Sequence, residues 1–376
     1  MATQLFIGIM SGTSLDGVDA ALCAFSGTGC KVLATHFLPY SAELKTELLT
    51  LHFPSENELE NTAITANKLA HLYAQAVNEL LKTNGLEAAQ IKAIGCHGQT
   101  VRHRPELGFT LQIGNNALLA ELTHITVVAD FRSRDIAAGG HGAPLVPAFH
   151  QAIFGSATLS SKTKNRAIVN IGGIANISYL PANGAGTGFK HIVGFDSGPG
   201  NMLLDSWAKL KLGKDYDANG DWAASGVVHE SFLAHMLAEP YFALPPPKST
   251  GRDLFNDVWL QRHILYPHCR PQDIARTLVE LTAQTIHQAL SQHCPALDEV
   301  YVCGGGAHNA LLMQRLSEML GNITLAQTNA LGVDVDWVEA AAFAWLAKQM
   351  LENKPGNLPE VTGAEGLRVL GAIYPN

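Results

Sequence analysis

The sequence predicts an α/β protein built from two structurally related domains. The chain has 376 residues, which at roughly 150 residues per domain gives two to three domains. Its 35 glycines concentrate where short apolar, β-branched runs end. Both halves show the same order of elements: a strand, a glycine-containing turn and two strands, then alternating helices and strands. The ends of such strands are where α/β proteins bind ligands.

The first half is predicted to contain five strands and one long helix. Apolar residues spaced three and four apart predict the helix over 57–82. The first two strands are joined by the polar turn 11–17. Short apolar runs bounded by turn residues predict strands over 5–10, 18–25, 31–37, 91–96 and 125–131.

The second half repeats this order from about residue 166. The predicted strands span 167–171, 175–180, 192–195, 299–303 and 323–326. The predicted helices span 273–293, 309–320 and 336–351. The Pro-rich stretch 244–248 (LPPPK) predicts a surface loop.

Composition excludes several classes of protein. Hydrophobic residues make up 47% and charged residues 15%, which is typical of a folded chain with well-buried cores. The formal net charge is −8 and no basic stripe is present, so we expect no nucleic-acid partner. No apolar stretch is long enough to span a bilayer and no leader precedes the first strand, so we expect a cytoplasmic protein without a membrane partner. The six cysteines form no C-x-x-C pair, which argues against a zinc site.

The motif GIMSGTSLDGVD, residues 8–19, predicts the first phosphate-binding turn. Its backbone N–H groups, hydroxyls and small side chains would let a phosphate approach the main chain. Asp16 could hold a hydrated magnesium ion, which prefers carboxylates and water. A tight hairpin with no ligand is the alternative. The residues of this predicted turn are Ser11, Gly12, Thr13, Ser14, Leu15, Asp16, Gly17 and Val18.

Two further glycine clusters suggest nucleotide contacts. Gly172 and Gly173 join two predicted strands within NIGGIANIS and would form a second phosphate turn. The glycines Gly304, Gly305 and Gly306 follow a strand and could lie against a base or ribose; close helix–strand packing is an equal alternative. The chain lacks the P-loop and Rossmann patterns, so ATP binding would be of neither type.

Asp196, in GFDSGPGN, is the candidate general base. It is predicted to end a short strand and enter a turn, where its carboxylate could take a proton from a hydroxyl or water. An Asx-turn or a helix N-cap is the alternative. An aspartic protease would need a second carboxylate, and because no second D-[ST]-G occurs in the chain, only a homodimer could supply it.

Segments 96–105 and 127–150 bring polar and cationic side chains next to glycines. Gln99, Arg132 and Arg134 fit recognition of a polyhydroxylated, anionic small molecule. A solvated surface charge is the alternative for each arginine.

In combination, these motifs resemble the anhydro-N-acetylmuramic acid kinase family. The resemblance covers residues 7–347, and it implies an actin-like ATPase fold (the sugar kinase, heat-shock chaperone and actin superfamily), with two RNase H-like domains flanking a cleft. We expect the first domain to comprise residues 1–140 plus 344–376 and the second 141–343. The motifs, in chain order, are GIMSGTSLDGVD, GCHGQTVRHRP, VVADFRSRDIAAGGHGAPLVPAFH, NIGGIANISYL, GFDSGPGN, KSTGRDLFN, VCGGGAHN and WVEAAAFAWLA.

The resemblance also implies a reaction. ATP, with Mg²⁺, would phosphorylate O6 of 1,6-anhydro-N-acetylmuramic acid while water opens the anhydro ring, giving N-acetylmuramic acid 6-phosphate and ADP in cell-wall recycling. By position, Asp196 would activate the water, and the turns at residues 11–18 and 172–173 would bind the phosphates. The glycines 304–306 would lie at the adenosine, and Asp16 would bind the metal.

The resemblance further assigns Arg132 and Glu339 to the sugar, with Arg132 near its lactyl carboxylate. Glu339 opens a predicted helix, where the helix dipole alone would favour an acid. His141, in GGHGAPL, stands where the family more often has glutamine, and it could add a pH dependence to sugar binding. A homodimer is implied by the family alone. Another sugar kinase of the superfamily, or an ATP-gated interaction protein, is the alternative function.

Overall fold

The computed structural model describes residues 3–12, 14–27, 29–155, 164–182, 192–264 and 269–376. The chain divides into two compact units. Unit 1 comprises Met1–Phe154 with Trp337–Asn376, and unit 2 comprises Gly155–Asp336. That these units correspond to the RNase H-like domains with the boundaries given above stays a prediction.

Unit 1 is organised around a six-stranded mixed sheet of order β13-β7-β4-β1-β2-β3. β1, β4 and β7 are parallel, whereas β2, β3 and β13 each run antiparallel to a neighbour. Strands β5 and β6 form a separate hairpin. The strands are β1 (Gln4–Met10), β2 (Gly17–Ser26), β3 (Gly29–Pro39), β4 (Ile91–Cys96), β5 (Gln99–Arg104), β6 (Phe109–Ile113), β7 (Val127–Ala129) and β13 (Ala372–Tyr374).

Helices cover both faces of this sheet. Ile7 and Ile9 of β1 are buried in one core with Leu69 and Val77 of helix Glu58–Thr83. A side chain at position 8 would point to the opposite face, because side chains alternate along a strand. A Cβ there would overlap the backbone of helix Val338–Leu351. The other helices of unit 1 span Ala42–Thr50, Asn116–Thr123, Ser133–Ile136, Val146–Phe149 and Pro359–Thr362.

Unit 2 contains a five-stranded mixed sheet of order β10-β9-β8-β11-β12. β8, β11 and β12 are parallel, and β9 runs antiparallel to β8 and β10. The strands are β8 (Arg166–Ile171), β9 (Ile174–Leu180), β10 (Val193–Pro199), β11 (Glu299–Cys303) and β12 (Thr324–Gln327).

The helices of unit 2 include the long helix Pro271–His293, whose predicted core positions, such as Leu278 and Ile286, are buried, as is the whole run 277–283. The others span Met202–Leu212, Asp221–Ala224, Glu230–Leu237, Asp257–His263 and Ala310–Leu320.

The two sheets share one plan. In both, the first three strands form an antiparallel meander, and two later strands extend the sheet parallel to the first strand. This order matches the repeat of elements predicted from the sequence and confirms the α/β class. Within the described residues, no helix is both long enough and apolar enough to cross a membrane.

The strands predicted over 125–131 and 192–195 have the wrong ends. The strand predicted over 125–131 is only Val127–Ala129, because the chain turns at Asp130, where φ is +55°. The strand predicted over 192–195 runs from Val193 to Pro199, so Asp196 lies within a strand. A β-bulge between Asp196 and Gly198 hides this continuity from a strictly alternating pattern.

Candidate functional site

The predicted first phosphate turn of unit 1 follows β1 directly. The Leu15 N–H donates to the Gly12 carbonyl at 3.3 Å, and Leu15 takes a φ of +60°, uncommon for a branched apolar residue. The buried Leu15 and Val18 side chains anchor the turn in the core. Ser14 and Asp16 are exposed, and Thr13 lies outside the described residues.

Ser11 is buried rather than open to a ligand. Its Oγ contacts the Tyr73 hydroxyl at 2.9 Å and donates to the Gly98 carbonyl at 3.0 Å. Gln99, predicted to recognise a polyhydroxylated small molecule, donates from Nε2 to the Gly12 carbonyl and accepts from the Tyr40 hydroxyl. Both side chains therefore support the turn, which leaves its backbone N–H groups and the exposed Ser14 hydroxyl for an anion.

Arg132 and Glu339 lie at the same edge of the unit 1 sheet. Arg132 follows β7, and the parallel strands β1, β4 and β7 end together at this edge. Glu339 lies in the first turn of helix Val338–Leu351, which packs backbone to backbone on Gly8 and Gly95. The structure thus brings together the two predicted sugar residues, whereas Arg134 is exposed.

Burial and their mutual charge shift the pKa values of Arg132 and Glu339 in opposite directions. Burial lowers the pKa of Arg132 to about 10, although the charge of Glu339 opposes this shift. Burial likewise raises the pKa of Glu339, opposed by Arg132. Arg132 donates through Nη1 to the Gly142 carbonyl at 2.8 Å and through Nη2 to His97 Nε2 at 3.0 Å. The result is a guanidinium held in one orientation, which suits the binding of a carboxylate.

In unit 2, the backbone and side chain of Asp196 both pair with segment 248–250. The Asp196 N–H donates to the Lys248 carbonyl at 3.1 Å, and Oδ2 accepts from the Thr250 N–H at 3.0 Å. The Tyr241 hydroxyl donates to the Asp196 carbonyl at 2.9 Å. Oδ1 has no hydrogen-bond donor within the described part of the chain, so one carboxylate oxygen is left for a reactant.

The carboxyl of Asp196 is tuned by its surroundings. Burial raises its pKa to about 6, while the Thr250 N–H and the Lys248 ammonium both oppose the rise. Lys248 is held over the Tyr241 ring, at 4.8 Å from its centroid, and donates to the Tyr241 and Phe242 carbonyls. The predicted surface loop 244–248 is confirmed, since the segment forms no helix or strand and Leu244, Pro245 and Pro247 are exposed; Lys248, at its end, is half-buried.

Gly172 and Gly173 form a bend between β8 and β9. Their carbonyls accept from the backbone N–H groups of Gly200, Asn201 and Met202 at 2.8–3.1 Å. A Cβ on Gly172 or Gly173 would meet no atom closer than 3.6 Å. The bend is thus fixed on one side and has space on the other.

The three glycines after β11 serve different purposes. A Cβ on Gly304 would overlap the Asn170 side chain, and one on Gly306 would overlap Ile171. Both positions therefore need glycine for close packing, the alternative named above. Gly305 differs, since the nearest atom to a Cβ there is Asn201 Nδ2 at 3.5 Å.

Gly305 lines a cavity of about 410 Å³ that lies wholly within unit 2. Two aromatic side chains line it together with apolar, amide and carboxylate side chains, a mixture that suits a flat heterocycle carrying a polar sugar. The lining residues include Leu204, Tyr216, Trp222, Ala275, Val279 and Asn309.

Sequence reasoning missed most of this cavity, and also His97, Tyr241, Lys248 and Thr250. Gly305 and Asn309 lie in the motif VCGGGAHN, but most of the other cavity residues come from three helices and from segment 216–219, which carries no recognised motif. Lys248 and Thr250 do lie in a recognisable motif, KSTGRDLFN, and His97 lies in CHGQT.

The family model described as anhydro-N-acetylmuramic acid kinase matches residues 4–376. This chain belongs to that family. Two curated relatives carry the same name. The protein of Nitrosomonas europaea is 52% identical over 98% of this chain and 99% of its own length, and that of Chromobacterium violaceum is 51% identical over 99% and 100%. Family membership and the two similarly ordered sheets confirm the predicted actin-like ATPase fold class.

Among solved structures, the chain is similar to the activator of the 2-hydroxyisocaproyl-CoA dehydratase from Clostridium difficile, crystallised with ADPNP. The TM-score is 0.48 at 12% identity, over 93% of this chain and 96% of that one.

Proposed function

We propose that this protein is an ATP-dependent kinase that opens the 1,6-anhydro ring of anhydro-N-acetylmuramic acid and phosphorylates O6. The name of the family identifies the sugar that we propose as the substrate. The observation that carries the chemistry is Asp196, a carboxyl fixed by Thr250 with one oxygen left over and a pKa raised to about 6. A base with a pKa just below neutral is ionised at working pH and still accepts a proton effectively.

In this reaction Asp196 takes a proton from water while the water oxygen bonds to C1 of the sugar. The bond between C1 and O6 breaks, and O6 forms a bond to the γ-phosphorus of ATP. The bond from that phosphorus to the β-phosphate oxygen breaks, and ADP leaves. Positioning and charge neutralisation supply most of the catalysis of phosphoryl transfer, and the backbone N–H groups of the turns at residues 11–18 and 172–173 would provide them.

The cavity at Gly305 is the proposed adenosine site. Tyr216 and Trp222 can lie against the base, and Asn309 lines the same cavity. The bend at Gly172 and Gly173 follows β8, which pairs with β11 directly before the glycines 304–306. Both nucleotide segments therefore follow neighbouring parallel strands of one sheet.

Arg132 and Glu339 are the proposed sugar residues. The guanidinium would pair with the lactyl carboxylate of the sugar, and the half-buried Glu339 carboxyl would bind a hydroxyl or amide N–H. The donor set of the described residues also fits a nucleotide-bound magnesium ion. No cluster of three His, Cys, Asp or Glu side chains occurs there, and such an ion needs only one or two carboxylates besides phosphates and water. Asp16 would hold it, and the ion would neutralise phosphate charge. Because ATP is a substrate, we place the reaction in the cytoplasm.

The Asp196→Asn variant tests the proposal. We expect turnover to fall by about 10²- to 10⁴-fold, the usual contribution of a general base, with ATP binding by calorimetry unchanged. Asparagine can still accept from the Thr250 N–H, so the fold should persist. Asp298→Asn is the matched control, because the Asp298 carboxylate also accepts from a backbone N–H, that of Asn165, and does not line the cavity at Gly305. Near-normal turnover in Asp196→Asn would show that another group is the base.

A further inference from the structure

His97 contacts three parts of unit 1: the first phosphate turn, Arg132 and helix Val338–Leu351. The proposed function assigns ligand contacts to each of them. His97 directly follows β4, its N–H donates to the Ile9 carbonyl at 3.0 Å, and its side chain is buried. Its ring lies 4.7 Å from that of Phe343, on the helix that carries Glu339. The imidazole therefore lies among the first phosphate turn, Arg132 and the Glu339 helix.

The contacts of His97 determine its tautomer. Nδ1 lies 3.1 Å from the Ser11 carbonyl, which can only accept, so Nδ1 carries the hydrogen. Nε2 then presents a lone pair, and Arg132 donates to it from Nη2 at 3.0 Å and from Nε at 3.3 Å. Burial and the Arg132 charge lower the pKa of His97 to about 3, which keeps the ring neutral at working pH.

The contacts of Arg132 leave part of its guanidinium available. Of its five N–H groups, two point to His97 and one points to the Gly142 carbonyl. One hydrogen on each terminal nitrogen has no protein acceptor among the described residues. The guanidinium can therefore still donate charge-assisted hydrogen bonds to a carboxylate.

We propose that His97 is a positioning residue for this reaction. Through Nε2 it orients Arg132 toward the carboxylate of the sugar, and through Nδ1 it holds the phosphate turn at Ser11. One neutral ring thereby couples the anionic sugar site to the nucleotide turn. The inference rests on the proposed function.

Two variants of His97 test its hydrogen bonds to Ser11 and to Arg132 separately. In His97→Asn the amide N–H can replace Nδ1 toward Ser11, but nothing reaches Arg132. We expect the sugar KM to rise about 10- to 100-fold, the range for losing a hydrogen bond to a charged group, with the ATP KM changed less than threefold. In His97→Gln the longer side chain can accept from Arg132 but loses the Ser11 bond. We expect the ATP KM to rise about 3- to 10-fold, with a smaller change in the sugar KM.

A double-mutant cycle tests whether His97 acts through Arg132. If it does, the effects of His97→Asn and Arg132→Lys on the sugar KM will be strongly non-additive. His150→Asn is the control for losing a buried imidazole, because His150 is buried in the same unit; it should change stability and neither KM. Additive effects, or equal changes of both KM values in both His97 variants, would overturn the proposal.

The wild-type enzyme offers a readout that does not depend on the variants folding. Nitrogen-15 NMR of the imidazoles should show one histidine as the neutral Nδ1–H tautomer from pH 5.5 to 8, with its signal shifted by the sugar alone and by the nucleotide alone. A His97 signal that titrates in this range, or responds to neither ligand, would contradict the proposal. A wild-type enzyme that leaves the sugar unchanged would instead contradict the proposed function.

Discussion

At the scale of single residues, the raised pKa of the proposed base Asp196 carries a cost in stability. Burial raises its pKa from an ordinary 3.8 to about 6, so the folded state binds this proton more tightly than the unfolded chain. Between about pH 4 and pH 6 the free energy of unfolding must therefore fall as the pH rises, and the full cost is present above pH 6. At pH 8 the Asp196→Asn variant should melt at a higher temperature than the wild type.

The charge of Lys248 should affect how the activity depends on pH, because it lowers the pKa of Asp196. Because Asp196 must be ionised to act, kcat/KM should fall tenfold per pH unit below about pH 6. The Lys248 ammonium favours the carboxylate, so Lys248→Met should move this acidic limb to higher pH. Lys248→Arg keeps the charge and should leave the limb in place. A limb at the same pH in the wild type and in Lys248→Met would show that Lys248 does not tune the base.

At the scale of elements, the contact of helix Val338–Leu351 with β1 and β4 positions Glu339. A Cβ on Gly8 would overlap the Ala340 carbonyl, so Gly8→Ala must displace the helix. We expect a loss of about 1–3 kcal/mol in the free energy of unfolding, as for other overpacked cores, together with a raised sugar KM. Gly29→Ala, on the edge strand β3 with its nearest atom at 3.4 Å, should change neither quantity.

The cavity in unit 2 makes a second prediction at this scale. Ala275 lines it from helix Pro271–His293, so Ala275→Leu should fill space that the adenosine needs. The ATP KM should rise at least about tenfold, while the sugar KM at saturating ATP stays the same. Gln288→Leu, exposed on the same helix, adds the same side chain outside the cavity. Equal effects of the two variants on the ATP KM would remove this cavity from the proposed nucleotide site.

Sequence predicted the elements better than their contacts. Long periodic helices and buried strands were predictable because one face of each is apolar, as in Glu58–Thr83 and β4. The bulge at Asp196 was not, because a single extra residue leaves the local composition unchanged. Nor was the pairing of Asp196 with Thr250, which lies 54 residues later. Glycine patterns located the turns, yet packing requires Gly304 and Gly306, and only the structure separates them from Gly305.

At the scale of the whole molecule, one sheet plan is used twice for different chemistry. In unit 1 the first strand ends in a turn whose carbonyls hold His97 and Gln99, and the proposed sugar residues lie at the same sheet edge. In unit 2 the corresponding strand, β8, ends at Gly172, and the meander ends with the strand that carries Asp196. The shared plan therefore positions both proposed phosphate turns and, on β10, the proposed base, whereas the proposed sugar residue Glu339 lies on helix Val338–Leu351.

The most direct test of the central claim is mass spectrometry of 1,6-anhydro-N-acetylmuramic acid incubated with the protein, ATP and magnesium in ¹⁸O-labelled water. The proposed reaction predicts one ADP per product molecule, and a product that carries one phosphate on O6 and one ¹⁸O on C1. Unchanged sugar would contradict the proposed activity. A phosphorylated product without the label at C1 would show that water does not attack the anomeric carbon, and Asp196 would lose its proposed role.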